Sequence, residues 1–252
     1  MLAVTRKSKI KDILTEKKSV TVTELATIFE VTEETIRRDL KVMEDEGFLT
    51  RAYGGAFIQS GAENNVDISI RQVAYTDSKH SIAKGCRKII HNGDSIFLDP
   101  STTAFFIAKE ISDMKLTVVT NSLLVVNQLC TCSNIRLVII GGTFAKEHKA
   151  FLGSIACNQM DNLYVDKAFI SARSVSIENG VTDSAEELST LRKRVISRSN
   201  EAYLVADYSK FNKTSFIQIC DIENLTGIIS DRVLDSDWKD YLETVHTAYI
   251  SC

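Results

Sequence analysis

Two sets of residues in this chain combine side-chain type and spacing in a way that suits chemistry with anions. The first is the run Thr35-Ile36-Arg37-Arg38-Asp39-Leu40-Lys41. Two adjacent guanidiniums, an ammonium and a hydroxyl are donors of the kind that grip phosphate oxygens and guanine edges. Arg51, just before Gly54-Gly55, adds another fork-shaped donor. The second set closes four apolar runs. Asp99-Pro100-Ser101-Thr102-Thr103 follows "SIFL", Thr120-Asn121 closes "LTVVT", Gly141-Gly142 follows "IRLVII", and Asp207-Tyr208-Ser209-Lys210 follows "YLVA". Free N–H groups at a helix start, with the hydroxyls of Thr102 and Thr103, suit a phosphate. Asp99, Asn121 and Asp207 suit sugar hydroxyls, and Lys210 is a mobile point charge. Each of these clusters, taken alone, also reads as ordinary helix capping or turn chemistry.

The elements around the first set are short and regular. Ile10, Ile13 and Leu14 recur at helical spacing in residues 5 to 18, with a basic outer face. Thr21 followed by Glu24 fits a capping box that opens a helix through Phe29. Thr32 caps a further helix whose Ile36, Leu40 and Met43 face inward, and Gly47 stops it. Residues 48 to 53 and 56 to 58 read as a hairpin around Gly54-Gly55. Helix, helix, turn, helix and hairpin make a winged helix-turn-helix over residues 1–58, with the helix-turn-helix at about 20–39. The outward positions of the third helix are then Glu33, Glu34, Thr35, Arg37, Arg38 and Lys41, and Arg51 lies on the wing. Residues 59–70 are small and polar, a linker.

From residue 71 to 252 the pattern becomes strands alternating with helices. Helices are expected at 78–90, 103–111, 123–129 and 185–199, with strands "SIFLD", "LTVVT", "IRLVIIGG", "KAFISA", "YLVAD" and "GIIS". This predicts an α/β domain built on a mostly parallel sheet with helices on both faces. In such sheets ligands bind beyond the carboxyl ends of the strands, so the four strand-end clusters should converge on one crevice.

The totals exclude other classes. The chain has 252 residues, 44% hydrophobic and 25% charged, with a net charge of −3. The first twenty residues nevertheless carry six Lys/Arg against two Asp/Glu, and a basic first helix would add phosphate contacts. No apolar run approaches the roughly 18 residues of a membrane span, and no secretory signal opens the chain, so a cytoplasmic protein is expected. The six cysteines include no Cys-x-x-Cys pair. They read as reduced thiols, and neither a metal nor a cofactor is expected.

The stretch from "VTVTELATIFEVTEETIRRDLKVMEDEGFLTRAYGGA" resembles the N-terminal signature of the DeoR (deoxyribose-operon repressor) family of bacterial transcription regulators. The shared elements are Glu24-Leu25-Ala26, Val31-Thr32, Thr35 to Leu40, Glu44, Gly47, Leu49, Arg51 and Gly54-Gly55-Ala56. Tyr53 stands where the family usually has histidine. Downstream, Arg71, Lys79, Ile82-Ala83, the Asp99 to Thr103 loop, Thr120-Asn121, Gly141-Gly142, Gly153, Asp166 to Phe169, Gly180 with Thr182, and Asp207 with Ser209-Lys210-Phe211 match the family's sugar-phosphate-sensing domain. That domain is similar to ribose-5-phosphate isomerase and glucosamine-6-phosphate deaminase. The chain departs from the pattern at Pro100 and Ser101, where Ser-Gly is usual, and at Ser171, Arg173 and Ser174, where glycine or asparagine is more usual. Arg173 could be an added anion contact.

The resemblance implies a DNA-binding regulator, a repressor of a carbohydrate operon, controlled by a phosphorylated sugar and not an enzyme. Its candidate DNA-contacting residues are Thr21, Thr32, Thr35, Arg37, Arg38, Lys41, Arg51 and Tyr53. Its candidate effector-binding residues are Asp99, Ser101, Thr102, Thr103, Thr120, Asn121, Gly141, Gly142, Asp207 and Lys210. The expected partners are double-stranded operator DNA, a phosphorylated sugar and further copies of the chain in a homodimer or homotetramer, with no membrane. The alternative is a sugar-phosphate isomerase or deaminase in which Asp99, Asp207 or Lys210 performs acid–base work.

Overall fold

A computed structural model describes residues 2–17, 19–52, 54–58 and 68–252. Two compact units divide at Thr76 and Asp77.

The first unit holds α1 (Ala3–Lys17), β1 (Ser19–Thr21), α2 (Val22–Phe29), α3 (Glu33–Asp45), β2 (Thr50–Ala52), β3 (Gly55–Phe57) and α4 (Ile68–Val73). Ile10, Leu14, Val20, Leu25, Ile36, Leu40 and Met43 form its core. Thr21 Oγ1 accepts from Glu24 N at 3.0 Å and caps α2. The reciprocal half of the expected capping box is replaced, because the Glu24 carboxylate takes Lys17 Nζ at 2.6 Å. Thr32 Oγ1 accepts from Thr35 N at 3.3 Å and caps α3. At the other end Gly47 adopts φ 73° and Phe48 N returns to Met43 O at 3.0 Å, so the first wing strand begins at Thr50 and not at Phe48. The wing strands pair antiparallel, with Arg51 opposite Ala56, and β1 adds to the far side of β3. Gly55 permits that third strand. A Cβ there would stand 2.4 Å from the Val20 carbonyl oxygen. Residues 68 to 70, expected as linker, are the first turn of α4, and the remainder of that linker, residues 59–67, lies outside the described residues.

The second unit contains α5 (Thr76–Ile89), β4 (Ser95–Leu98), α6 (Thr102–Glu110), β5 (Leu116–Thr120), α7 (Leu123–Leu129), β6 (Ile135–Ile139), β7 (Thr143–Ala145), β8 (Ala150–Leu152), α8 (Ser154–Met160), β9 (Val165–Ile170), β10 (Ser174–Ser176), β11 (Gly180–Asp183), α9 (Glu186–Ser197), β12 (Ser199–Val205), β13 (Ile217–Cys220), β14 (Gly227–Ser230), α10 (Ser236–Thr244) and β15 (Ala248–Ser251). Seven strands form one sheet in the order β15-β14-β12-β9-β4-β5-β6, and every pairing is parallel. Strict alternation buries both of its faces. Ile96, Leu98, Val118, Phe169, Tyr203, Val205 and Ile229 pack on α5, α6 and α7. Their neighbours Phe97, Val119, Ala168, Ile170, Ala202, Leu204 and Ile228 pack on α8, α9 and α10. Near-continuous apolar strands follow from this two-sided burial. A fully buried Leu, Ile or Phe side chain contributes about 1.5–3 kcal/mol.

Two antiparallel additions were not expected from the sequence: the β7–β8 hairpin and the sheet β10-β11-β13. Their strands have three or four residues, too short for a period to show. All six cysteines are free, and no helix among the described residues is long and apolar enough to cross a membrane.

Candidate DNA-contacting face and effector crevice

α2, a tight turn and α3 form the helix pair, and the exposed side of α3 carries its cations. Arg38 and Lys41 are exposed and have no ion-pair partner among the described residues. Arg37 is exposed too, but its Nη2 donates to Glu33 Oε2 at 2.6 Å, and Thr23 Oγ1 donates to the other oxygen of Glu33 at 2.8 Å. These two bonds hold the Glu33 carboxyl below its ordinary range, the Thr23 bond contributing most. Arg51 is tied more tightly. Its backbone N and its Nε both donate to Glu44, at 2.8 and 2.6 Å. Glu44 thereby clamps the wing to α3. Burial alone would raise the Glu44 pKa, but the Arg51 bonds outweigh burial and lower it. Thr32 and Thr35 lie together at the start of α3, their hydroxyls 2.9 Å apart. Tyr53 lies outside the described residues.

The basic first helix differs from its expected role. Arg6 is buried and donates through Nε to Asp39 Oδ2 at 2.5 Å, fastening α1 to α3 from within. Lys7 and Lys11 lie 3.5 and 3.8 Å from Glu46, and Lys17 lies beside Glu24. Such surface pairs are weak and exchangeable. Arg6 is the correction: its helix position puts it on the stripe of Ile10 and Leu14, not on the outer face.

In the second unit the chain runs outward from β4 through β5 to β6. It then returns to β9 and runs outward the other way through β12, β14 and β15. β4 and β9 therefore flank the switch point at which ligands bind in open α/β sheets. Ser101 Oγ caps α6 by accepting from Ala104 N at 3.0 Å. Thr102 and Thr103 fill the first turn, and among the described residues their N–H groups donate to no protein acceptor. Thr120 is adjacent on β5. Its hydroxyl donates to Leu98 O at 2.6 Å and accepts from Ser122 N at 3.1 Å. Asn121 is fully buried. Its Nδ2 donates to Phe151 O at 3.0 Å, while its Oδ1 is buried with no protein partner.

Asp99, expected to meet sugar hydroxyls, is enclosed by protein groups. It is 0% exposed. Its Oδ2 accepts from Arg192 Nε and Nη2 at 3.0 and 2.8 Å and from Ser171 N at 2.9 Å, and its Oδ1 accepts from Ser101 N at 3.1 Å. Arg192 reaches on through Nη1 to Asp183 Oδ2 at 2.7 Å. Burial opposes the charge of Arg192, but the two aspartates outweigh it and raise its pKa. The carboxylate of Asp99 thus fixes the loop after β4 against the segment after β9.

Asp207 lies two strands from β4, at the end of β12. Its carboxylate accepts from the N–H and the hydroxyl of Ser209. Lys210 ends the following turn and is half-buried. Lys213, absent from the sequence reading, stands in the same neighbourhood; burial lowers its pKa, and Asp207 acts in opposition. Gly141 and Gly142 sit beyond β6, away from the switch point. Gly141 N donates to Gln159 Oε1 at 2.9 Å, and Gly142 lets the chain pass Leu152, whose carbonyl oxygen would be 2.4 Å from a Cβ. Asp99, Ser101, Thr102, Thr103, Thr120 and Asn121 are accordingly gathered at the carboxyl ends of two neighbouring strands, β4 and β5, and the others are spread to either side. Arg192 and Asp183 escaped the sequence reading. A signal for Arg192 exists: it falls on the stripe of Leu188, Leu191 and Val195, where an arginine must be paired.

Residues 6–61 match the family model of the DeoR-like helix-turn-helix domain, and residues 75–232 match that of the DeoR C terminal sensor domain. The chain is 37% identical over 235 residues to the uncharacterized HTH-type transcriptional regulator YulB of Bacillus subtilis, covering 93% of this chain and 91% of that protein. It is 30% identical over 234 residues to the HTH-type transcriptional repressor GlcR of the same species, covering 93% and 90%. Among solved structures, ribose 5-phosphate isomerase A from Methanocaldococcus jannaschii aligns with a TM-score of 0.40 and 21% identity, covering 54% of each chain.

Proposed function

The chain belongs to the DeoR family of helix-turn-helix transcriptional regulators, and from that premise we propose that it represses a carbohydrate-use operon and responds to a phosphorylated sugar. The observation that carries the effector half is the first turn of α6 at the switch point. Two N–H groups without protein acceptors and two threonine hydroxyls stand there at the positive end of a helix, an arrangement suited to a phosphate. The DNA half is supported by Arg38 and Lys41, exposed on the third helix of a winged module, and by Arg37 and Arg51, each paired with a carboxylate, Glu33 and Glu44. Thr21, Thr32 and Thr35 would approach phosphates at the two helix starts. Repression is supported by the name of a relative, a transcriptional repressor. A homodimer or homotetramer in the cytoplasm fits paired half-sites on DNA.

The enzyme alternative is not favoured. Asp99, its first candidate for acid–base work, is enclosed by Arg192 and two backbone N–H groups, and both matched domain families are those of a regulator. A mobility-shift assay on the chain's own promoter region, with and without sugar phosphates, tests the proposal. Specific binding that a sugar phosphate relieves, and that Thr103→Ala makes unresponsive, is the expected result. Absence of any specific shift at low salt would overturn it, and a sugar phosphate that strengthens the shift would reverse the assigned sign.

A further inference from the structure

Arg173 follows β9 at the switch point, and its surroundings are unusual for an arginine. It is half-buried, yet its guanidinium makes no hydrogen bond or ion pair among the described residues. The nearby acids are already engaged. Arg192 takes Asp99 through two nitrogens and Asp183 through a third, and the remaining oxygen of Asp183 accepts from Ser184 N at 2.7 Å and Ala185 N at 3.4 Å. Ser174 pairs with Thr182 across β10 and β11, and continuing that register by one residue sets Arg173 opposite Asp183. Ser184, just past the end of β11, has a buried hydroxyl with no partner among the described residues. An arginine acting only as a counter-ion would turn its donors onto a carboxylate. Here both aspartates are engaged by Arg192, while no acceptor among the described residues takes the donors of Arg173.

Its location ties it to the phosphate-suited helix start. Ser171 N donates to Asp99 Oδ2, and Asp99 N donates to Phe169 O at 3.3 Å, so the segment that carries Arg173 lies against the loop that opens α6. Adjacent strands are about 4.8 Å apart, a step that the carbon chain of a sugar spans. We propose that Arg173 binds a second anionic group on the effector, which makes the preferred ligand a phosphorylated sugar bearing a carboxylate or a further phosphate. This rests on the sugar-phosphate reading above and adds the ligand's class to it. Guanidinium suits either group, because its planar fork matches two oxygens at once. Burial lowers the Arg173 pKa, with Asp183 opposing and Arg192 reinforcing the effect; a bound anion would relieve that cost.

The test uses two matched pairs of probes with the full-length protein in calorimetric titrations. Glucose 6-phosphate and 6-phosphogluconate differ by a carboxylate, and fructose 6-phosphate and fructose 1,6-bisphosphate differ by a phosphate. The doubly anionic member of at least one pair should bind roughly 10- to 100-fold more tightly, the range of a charge-assisted hydrogen-bonded pair. Whichever pair shows the preference identifies the second group. Arg173→Ala should collapse the ratio toward one, and Arg173→Lys should keep part of it. Melting curves and operator shifts establish that each variant is folded. Equal binding within both pairs, or a preference that survives Arg173→Ala, overturns the proposal. Silence of all four probes on the wild type, by contrast, counts against the sugar-phosphate reading itself and removes this inference with it.

Discussion

Replacing Arg192 with alanine should be among the most destabilising single changes in the second unit. The side chain is 6% exposed, and its partners Asp99 and Asp183 are 0% and 10% exposed. Arg192→Ala removes three hydrogen bonds and leaves two carboxylates in the interior without their guanidinium. Deleting one partner of a buried ion pair costs about 3–5 kcal/mol. For a domain of 150–250 residues each kcal/mol lowers the melting temperature by about 2–4 °C, so a drop of roughly 6–20 °C follows. Differential scanning calorimetry of the full chain reads it, and any separate transition of the first unit should not move. Arg192→Lys keeps the charge but offers one nitrogen in place of three, and should fall between. The double change Asp99→Asn with Arg192→Met removes one of the two unpaired carboxylates, the fully buried one, and should recover part of the loss. A shift for Arg192→Ala below about 3 °C, less than one buried hydrogen bond is worth, would refute the reasoning. So would a double variant as unstable as the single one, since the loss would then lie in packing and not in charge.

Other consequences are equally open to measurement. Arg38→Ala should weaken operator binding about 10-fold or more and lower the salt slope by about one if the contact is to phosphate. Arg37→Ala should cost less in the same mobility-shift titration, because DNA must compete with Glu33 for that side chain. Glu44 has a lowered folded-state pKa, so its contribution is present above the normal carboxylate range and is lost as pH falls through the folded value. Its side chain is about one-third exposed, which limits the effect to roughly 0.5 kcal/mol. Glu44→Gln should flatten that part of the stability–pH profile in chemical denaturation and loosen the wing's protection in amide exchange. Gly142→Ala combines a φ of 146° with a Cβ 2.4 Å from the Leu152 carbonyl oxygen, and should cost at least about 2 kcal/mol in urea titrations.

Much of the fold was legible because local chemistry and global fold agree. Thr21 and Thr32 announce helix starts and are caps, Gly47 announces a stop and has positive φ, and the strands "LTVVT" and "GIIS" begin and end where their apolar runs do. What the sequence concealed are partnerships across long separations. Asp99 reads as a ligand contact until Arg192, 93 residues away, is seen to occupy it. Arg6 counts as a surface charge until Asp39 is found beneath it. The strand-end clusters were visible as clusters, but the order of strands determines which of them meet. β4 and β5 are neighbours, whereas Gly141-Gly142 beyond β6 serves the β7–β8 hairpin. Arg173 stood out as a departure that could contact an anion, but that its guanidinium meets no partner among the described residues is a fact of three dimensions.

The alternation along the central strands has a bearing on how such a sensor can diversify. Phe97 belongs to one layer of helices while Ile96 and Leu98 belong to the other, and the same holds along β5, β9, β12 and β14. Inserting or deleting one amino acid within any of these strands would exchange the occupants of both layers at once. Lengthening or recasting the turns that follow the strands disturbs neither. Descendants of this scaffold are therefore free to trade one metabolite for another at its rim while the slab beneath stays unaltered.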